Sequence, residues 1–347
     1  MKYILLFLIP CSLFADPFQI INRNLGSNPA LESQINSLFD QIENDVNSQL
    51  PDADQSTYLK GMANASVMGL KGTGSDYNNE IIFTGLRFSV GLGVDLGAVG
   101  LSELVGGDVD LQNVRGVNIQ QTFNLGVDLS AFNAGKLGIL DFSKMELFLN
   151  YGSVNPRNYS SSVNGSVKNL GIHGRYQLIE KSEILPLGLL SFGGLFFHFG
   201  YEQSLTNLSV TINTDYSRAE AGVGTLTASG TATVGAKVAT YSFPFEISTY
   251  FDWLTFMTTH FGLGLDFNFG KATSIAELNS NISYDNDGTV SGDGVLDIGQ
   301  QAKPTKAFVR WFLGHQFHLS LLKVNIGLGH VPNTGLWNLN AGVMLTY

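Results

Sequence analysis

From about residue 57 to the C-terminal end, apolar and polar residues alternate with a period of two. Thr84, Leu86, Phe88, Val90, Leu92, Val94 and Leu96 interleave with Gly85, Arg87, Ser89, Gly91, Gly93, Asp95 and Gly97. The same rhythm runs through Val117–Leu129, Met145–Tyr151 and Phe261–Phe269. Such alternation sends the two sets to opposite faces of a sheet. A sandwich whose polar face meets bulk water should carry Lys and Glu there. Here that face is Gly, Ser, Asn and Thr with single charges of both signs, which fits the lumen of a barrel. The segments also run to ten residues or more, the length of a tilted strand crossing a bilayer. Counting back from the C-terminus gives about 14 spans, with 57–72 the first. If the Thr-rich hairpin 203–214/222–235 lies outside the membrane the number is 12. The pattern therefore predicts an all-β fold: a transmembrane antiparallel β-barrel of about 12–14 strands, preceded by one N-terminal amphipathic helix.

That helix is read at 29–50. Asn28 offers an N-cap and Pro29 the first helical position. Leu31, Ile35, Leu38, Phe39, Ile42, Val46 and Leu50 recur at steps of three and four, and Pro51 stops the run. Its polar face is acidic, with Glu32, Asp40, Glu43 and Asp45, and no Lys or Arg lies between Arg23 and Lys60. An acidic helix does not lie on an anionic membrane, so its stripe must bury against protein. Before it, Lys2, the apolar run Tyr3–Pro10 and the small residue Ala15 read as a secretory signal peptide over residues 1–15. Lipidation at Cys11 is the alternative to cleavage after Ala15. The organisation expected is 1–15 signal peptide, 16–56 a periplasmic or plug segment, and 57–347 the barrel.

Composition sharpens this picture. The chain has 347 residues, with Lys+Arg 19 against Asp+Glu 29 and a formal charge of −10. This acidic balance argues against nucleic-acid binding, which needs a basic patch to release counterions. Only 14% of residues are charged while Gly numbers 40, against norms of about 25% and 7%. One Cys excludes a disulfide framework or a Cys-ligated zinc site.

Candidate chemistry is sparse. Arg87, Asp95, Asp128, Glu146, Arg175, Glu246, Asp266, Arg310 and Lys323 fall in the inward register. There they either neutralise one another across the lumen or set ion preference. Asp285, Asp287 and Asp293, with nearby glycines, form a weak calcium-loop candidate, but the bidentate Glu of an EF-hand is missing and a turn-rich loop over 285–304 is the simpler reading. A second exposed loop is read at 215–221. His260 and His315 are placed on or beside the lipid face. His315 and His318, three apart, point to opposite faces and cannot share a metal. No inward Ser–His pair, phosphate-binding loop or nucleophile elbow is found, so no enzyme and no cofactor is expected. Ile184–Tyr201 carries no charge but is broken by Pro186 and several glycines, and reads as strand rather than helix. Tyr151, Tyr241, Trp253, Trp311 and Trp337 are placed in interfacial girdles.

Trp337, Leu339, Ala341, Val343, Leu345 and Tyr347 alternate with polar or small residues, and the chain stops on the aromatic. This ending, with the signal peptide and the alternating run, resembles Gram-negative outer-membrane β-barrel proteins. The resemblance implies recognition of Trp337, Leu339, Val343, Leu345 and Tyr347 by the barrel-assembly machinery, outer-membrane lipid as surroundings and the cell outer membrane as location. Asn28-Pro29-Ala30 is also similar to a short motif of the long-chain fatty-acid transporter family, another plugged barrel. The function expected first is a channel for small solutes, plugged or not by the N-terminal helix. The alternatives are a surface adhesin whose exposed loops bind an extracellular ligand, and a hydrophobic-ligand transporter.

Overall fold

A computed structural model describes residues 19–23, 55–74, 76–77, 84–97, 114–132, 135–138, 140–155, 163–220, 224–253, 256–284, 289–295 and 301–346, with Ser33, Asn36, Ser37, Asp40 and Asn44 singly. Its elements, in order, are β1 (Gln19–Arg23), α1 (Gln55–Met68), β2 (Thr84–Asp95), β3 (Gly116–Asp128), β4 (Met145–Val154), β5 (Val163–Ile179), β6 (Leu190–Glu220), β7 (Gly224–Trp253), β8 (Met257–Tyr284), β9 (Thr289–Val295), β10 (Ala307–Leu319), β11 (Leu322–His330) and β12 (Leu336–Thr346). Short paired segments at Lys136–Leu137, Leu140–Asp141, Ser182–Leu185 and Gln301–Ala302 fill the connections.

Ten antiparallel strands close into a barrel. Each of β2 to β8 pairs with the next, β8 pairs with β10, and β10, β11 and β12 return to β2. The outer face carries the apolar set of the alternation: Leu86, Phe123, Leu149, Ile247, Leu263, Val309 and Leu345 are all exposed. A continuous apolar belt on a closed ring needs lipid around it, because no soluble monomer leaves so much apolar surface in water. The girdle residues divide. Tyr151 and Trp253 are exposed, Tyr241 and Trp311 are half-buried, and Trp337 is buried, with His330 stacked on it at 3.9 Å.

Two differences account for the strand number. Residues 57–72, expected as the first strand, are mostly helix α1 and its exit turn. The expected pairs 187–200/203–214, 222–235/238–253 and 256–270/273–284 are three continuous strands of 31, 30 and 28 residues. Crossing a bilayer takes about 9–11 residues, so a Thr- and Asn-rich stretch with no lipid face looked like an interruption. It is instead the part of β6, β7 and β8 that runs on beyond the closed ring while its ladder continues. Residues 215–221 are accordingly strand up to Glu220 rather than loop, and 285–304 contains β9, which folds back on β8. The helix expected at 29–50 lies largely outside the described residues; Ser33, Asn36, Ser37, Asp40 and Asn44 within it are helical.

The two ends of the barrel differ. At one end β7 passes to β8 within Trp253–Met257 and β10 to β11 within Leu319–Leu322; β12 also ends there, with Thr346 opposite Gly85. At the other end β6, β7 and β8 overhang the ring. Beyond it β9 pairs with β8, and β1 pairs with β9, giving a projecting sheet of five strands in the order β6-β7-β8-β9-β1.

Candidate functional site

The lumen is occupied by the chain itself. α1 and the turns after it, residues 55–74 with Asp76 and Tyr77, run inside the ring, and Leu59, Ala63, Ala65, Ser66, Met68 and Lys71 are essentially inaccessible. The glycines of the inward register explain how a helix fits. A Cβ on Gly93 would meet the Ala65 carbonyl oxygen, one on Gly91 the Gly69 carbonyl oxygen, and one on Gly116 the backbone of Gly61 and Met62. Wall and helix backbones touch there, which only hydrogen in place of a side chain permits.

Polar wall residues satisfy the plug's backbone. A helix end leaves its last carbonyls without partners, and burial makes that costly. Asn338 Nδ2 donates to the Met68 carbonyl (2.8 Å), Arg87 Nη2 to Gly72 (3.0 Å), Asn124 Nδ2 to Gly74 (2.5 Å) and Arg175 Nη1 to Asp76 (2.7 Å). Higher in the lumen, Ser66 Oγ lies 2.8 Å from Ser204 Oγ and 3.1 Å from Thr240 Oγ1. At the lower end Tyr77 stacks on His260 and tilts against His198 and Phe312.

The charges form one buried chain centred on the plug. Lys71 Nζ is 2.6 Å from Glu202 Oε2 and 3.0 Å from Asp266 Oδ1, and donates to Ser242 Oγ at 2.9 Å. Asp266 Oδ2 accepts from Arg310 Nε at 2.9 Å, and Arg310 Nη2 pairs with Glu246. A second pair joins Arg175 to Glu146 at 2.5 Å. In a water-poor interior each such charge needs its partner, so the plug cation and the wall anions hold one another in place.

The sequence-predicted residues sort as follows. Arg87, Arg175, Glu246, Asp266 and Arg310 are buried against the plug or one another, as above, with Glu146 half-buried beside Arg175. Asp95 accepts from Asn64 Nδ2 at 3.4 Å and from the Gly97 amide at 3.0 Å near the overhanging end. Lys323 is buried on β11 between His318 and Met344. Asp128 is half-buried at the foot of β3, where it accepts from Ser130. Leu339, Val343 and Leu345 face outward on β12, and Tyr347 lies outside the described residues. So do Asp285 and Asp287. Asp293 sits in β9 opposite Asn279 and Asn22, and no group of three His, Cys, Asp or Glu among the described residues could hold a metal.

Two readings need correction. His260 is buried inside against Tyr77 rather than beside the lipid, because its even number on β8 shares the register of Asp266. An inward Ser–His pair does exist: His198 Nε2 is 2.6 Å from Ser248 Oγ. Among the described residues His198 Nδ1 has no hydrogen-bond partner, so none of their carboxylates orients the ring, and both residues are buried. That pair lacks the third member and the access an acyl-transfer centre needs.

Sequence reasoning missed Lys71, Tyr77, Glu202, His173 and His198. Glu202 stood at an expected break between strands. Lys71 falls in the span read as a strand, although a cation at the end of the small and apolar run 61–70 is a usable signal.

Two small cavities lie beside the plug. One cavity of about 10 Å³ is bounded by Gly72, Tyr77, His260, Arg310 and Asn340, and another of about 10 Å³ by Leu70, Thr73, Asn150, Asn169 and Glu202. Each holds about one water.

Fold and lumen together define a transmembrane β-barrel plugged by its own chain. Residues 20–347 match the Lsa36-like family model, and the chain belongs to the Lsa36-like family. No curated protein matches it. Among solved structures, the transport unit of the autotransporter AIDA-I from Escherichia coli is similar at 11% identity, covering 85% of this chain and 99% of that one, with a TM-score of 0.33. The KdgM porin is similar at 7% identity over 75% and 99%, TM-score 0.26. Omp33 of Acinetobacter baumannii is similar at 8% over 77% and 100%, TM-score 0.26. Asn28-Pro29-Ala30, the basis of the fatty-acid transporter likeness, lies outside the described residues.

Proposed function

We propose that this chain is a non-enzymatic outer-membrane anchor: a barrel sealed by its own segment, whose working part is the surface it holds outside. The observation that carries this reading is the filled lumen. Residues 55–74 with Asp76 and Tyr77 are bonded to the wall at the helix, its exit turn and Tyr77, and the voids beside them take about one water each. A general pore for small solutes needs a continuous aqueous path, and a segment bonded to the wall from Ser66 down to Tyr77 stands in its way. The projecting sheet supports display, because strands of 28 to 31 residues are far longer than a crossing requires. Its extracellular ligand is the partner, with the lipid of the outer membrane around the belt and the assembly machinery acting on β12.

A second reading, a gated channel, is favoured by one feature: beside the apolar cluster of Val67 and Met68 with Phe308, Val331 and Leu336, the plug is held by buried ion pairs and hydrogen bonds, which water can replace. Planar-bilayer recording of the refolded protein tests the choice. The anchor reading expects no steady conductance at modest voltage. Steady conductance from the intact chain would replace it with the channel.

A further inference from the structure

We infer that the chain is threaded through its own barrel, so that the segment before residue 55 stands on the outer face of the membrane while the C-terminus stays on the periplasmic face. This rests on the outer-membrane reading above and deepens it by naming what is displayed.

The direction follows from contacts made along the plug. Asn64 reaches Asp95 and accepts from the Thr305 amide at 2.8 Å, and Gly61 lies against Arg115. Those partners stand at the overhanging end, where β2 finishes and β3 begins. Further along, Lys71 meets Asp266, still within one pair of Phe267, and the chain then passes Arg175 at Asp76, opposite Glu146 near the start of β4, to reach His260 at Tyr77, three residues into β8. That is the end of the tight turns, where Thr84 then starts β2. The plug therefore descends the whole lumen once. A chain that crosses a closed ring from one end to the other must have its preceding residues at the first end.

β1 supplies the second, independent observation. Gln19–Arg23 pairs with Arg23 opposite Gly292 and Gln19 opposite Val295, and β9 in turn pairs with β8 at Leu278–Ser283. The ladder between β8 and β10 that closes the ring stops at Phe267. Residues 19–23 are thus outside the ring, at the overhanging end, on the projecting sheet.

Which end faces out is set by the connections. Outer-membrane barrels keep short turns on the periplasmic side and long excursions outside. Trp253–Met257 and Leu319–Leu322 are tight turns at one end, where residues 129–144 and 180–189 are longer links. The overhang of three strands of 28 to 31 residues at the other end is the longest excursion. The N-terminal segment thereby completes the external sheet through β1. Residues 16–54 hold seven acidic residues against Arg23 alone, so the field of the displayed part draws cationic rather than anionic partners.

The test is cysteine accessibility in cells carrying the full-length protein, using a membrane-impermeant maleimide. Asn22→Cys on β1 reports the N-terminal segment, Ser320→Cys reports the turn between β10 and β11, and the unaltered chain controls for Cys11. A periplasmic marker protein checks that the cells are intact. The expected result is that Asn22→Cys labels as fully in intact cells as after lysis, and Ser320→Cys only after permeabilisation. If both label only after permeabilisation, the threading is wrong although the sealed anchor can stand on its bilayer result. If only Ser320→Cys labels from outside, the orientation is reversed and the display reading falls with it. Heat-modifiable migration of each variant shows that the barrel has formed, so a lost signal cannot be laid to misfolding.

Discussion

Replacing Lys71 by Met removes the plug's cation and little else. The two side chains have similar length, and Lys71 is 1% exposed, so the volume in the lumen is kept. What is lost is the pair to Glu202 at 2.6 Å, the pair to Asp266 at 3.0 Å and the hydrogen bond to Ser242 at 2.9 Å. Asp266 still has Arg310, whereas Glu202 is left with His173 at 3.7 Å as its nearest charge partner. Removing one member of a buried ion pair costs about 3–5 kcal/mol, because the remaining charge is stranded. The closed ladders of the wall are unaffected, so the cost falls on the plugged state. At about 1.4 kcal/mol per tenfold, the ratio of plugged to unplugged barrels should drop by about 10²–10⁴. Single-channel recording reads this directly: Lys71→Met should show opening events that the parent lacks, with heat-modifiable migration retained. Adding Glu202→Gln should remove the stranded charge and restore part of the closed time, a non-additive pair. A Lys71→Met protein as silent as the parent, fully folded, would refute the claim that this ion pair holds the plug.

Other expectations follow from the same contacts. Gly93→Val places a side chain against the Ala65 carbonyl, so bilayer openings should increase while the β-sheet signal in circular dichroism is unchanged. Asn338→Leu removes one of two donors to the buried Met68 carbonyl, leaving the Lys71 amide at 3.0 Å, and should lower the unfolding free energy by about 0.5–1.5 kcal/mol in a urea titration of the protein in lipid. Trp337→Ala empties a site packed by His330 at 3.9 Å and Trp311 at 6.2 Å, and should cost about 3 kcal/mol in the same titration. In the connection between β3 and β4, the Ser143 hydroxyl and then Lys136 hold the Asp141 carboxyl below its ordinary range. Because the folded value is depressed, its contribution is present above the ordinary carboxylate pKa and is lost as pH falls through the lowered one. Ser143→Ala should move the Asp141 titration upward, as followed by NMR in micelles.

The belt and the lumen were legible because period two is a strong signal on strands such as β2 and β8, where Leu86, Phe88, Phe261 and Leu263 alternate with polar or small residues. The strand number was less so. Outside the bilayer a strand needs no lipid face, so Thr225–Thr233 lost the pattern although the ladder opposite Ser217–Thr211 and beyond continued. α1 was hidden for the opposite reason. From Gly61 to Met68 the helix is enclosed on every side and has no polar stripe, with Met62, Ala63, Ala65 and Val67 all buried, so its sequence offers no one-sided periodicity. Inward charges such as Asp266 and Arg310 were readable from register alone. Their partner was not, because Lys71 joins Glu202 across 131 residues and nothing local marks that meeting.

The central claim is that α1 occupies the lumen, and a disulfide tests it most directly. Ser66 on α1 and Ser204 on β6 bring their hydroxyl oxygens to 2.8 Å, and both are buried. In Ser66→Cys/Ser204→Cys the sulfurs would stand within bonding reach, and no neighbouring cysteine competes, since the chain has one Cys, at position 11. The account predicts that the double variant forms this bond on export, seen as blocked thiols and a mobility shift that reductant reverses, while each single variant does not. Free thiols in a folded, heat-modifiable double variant would place the helix elsewhere and contradict the account.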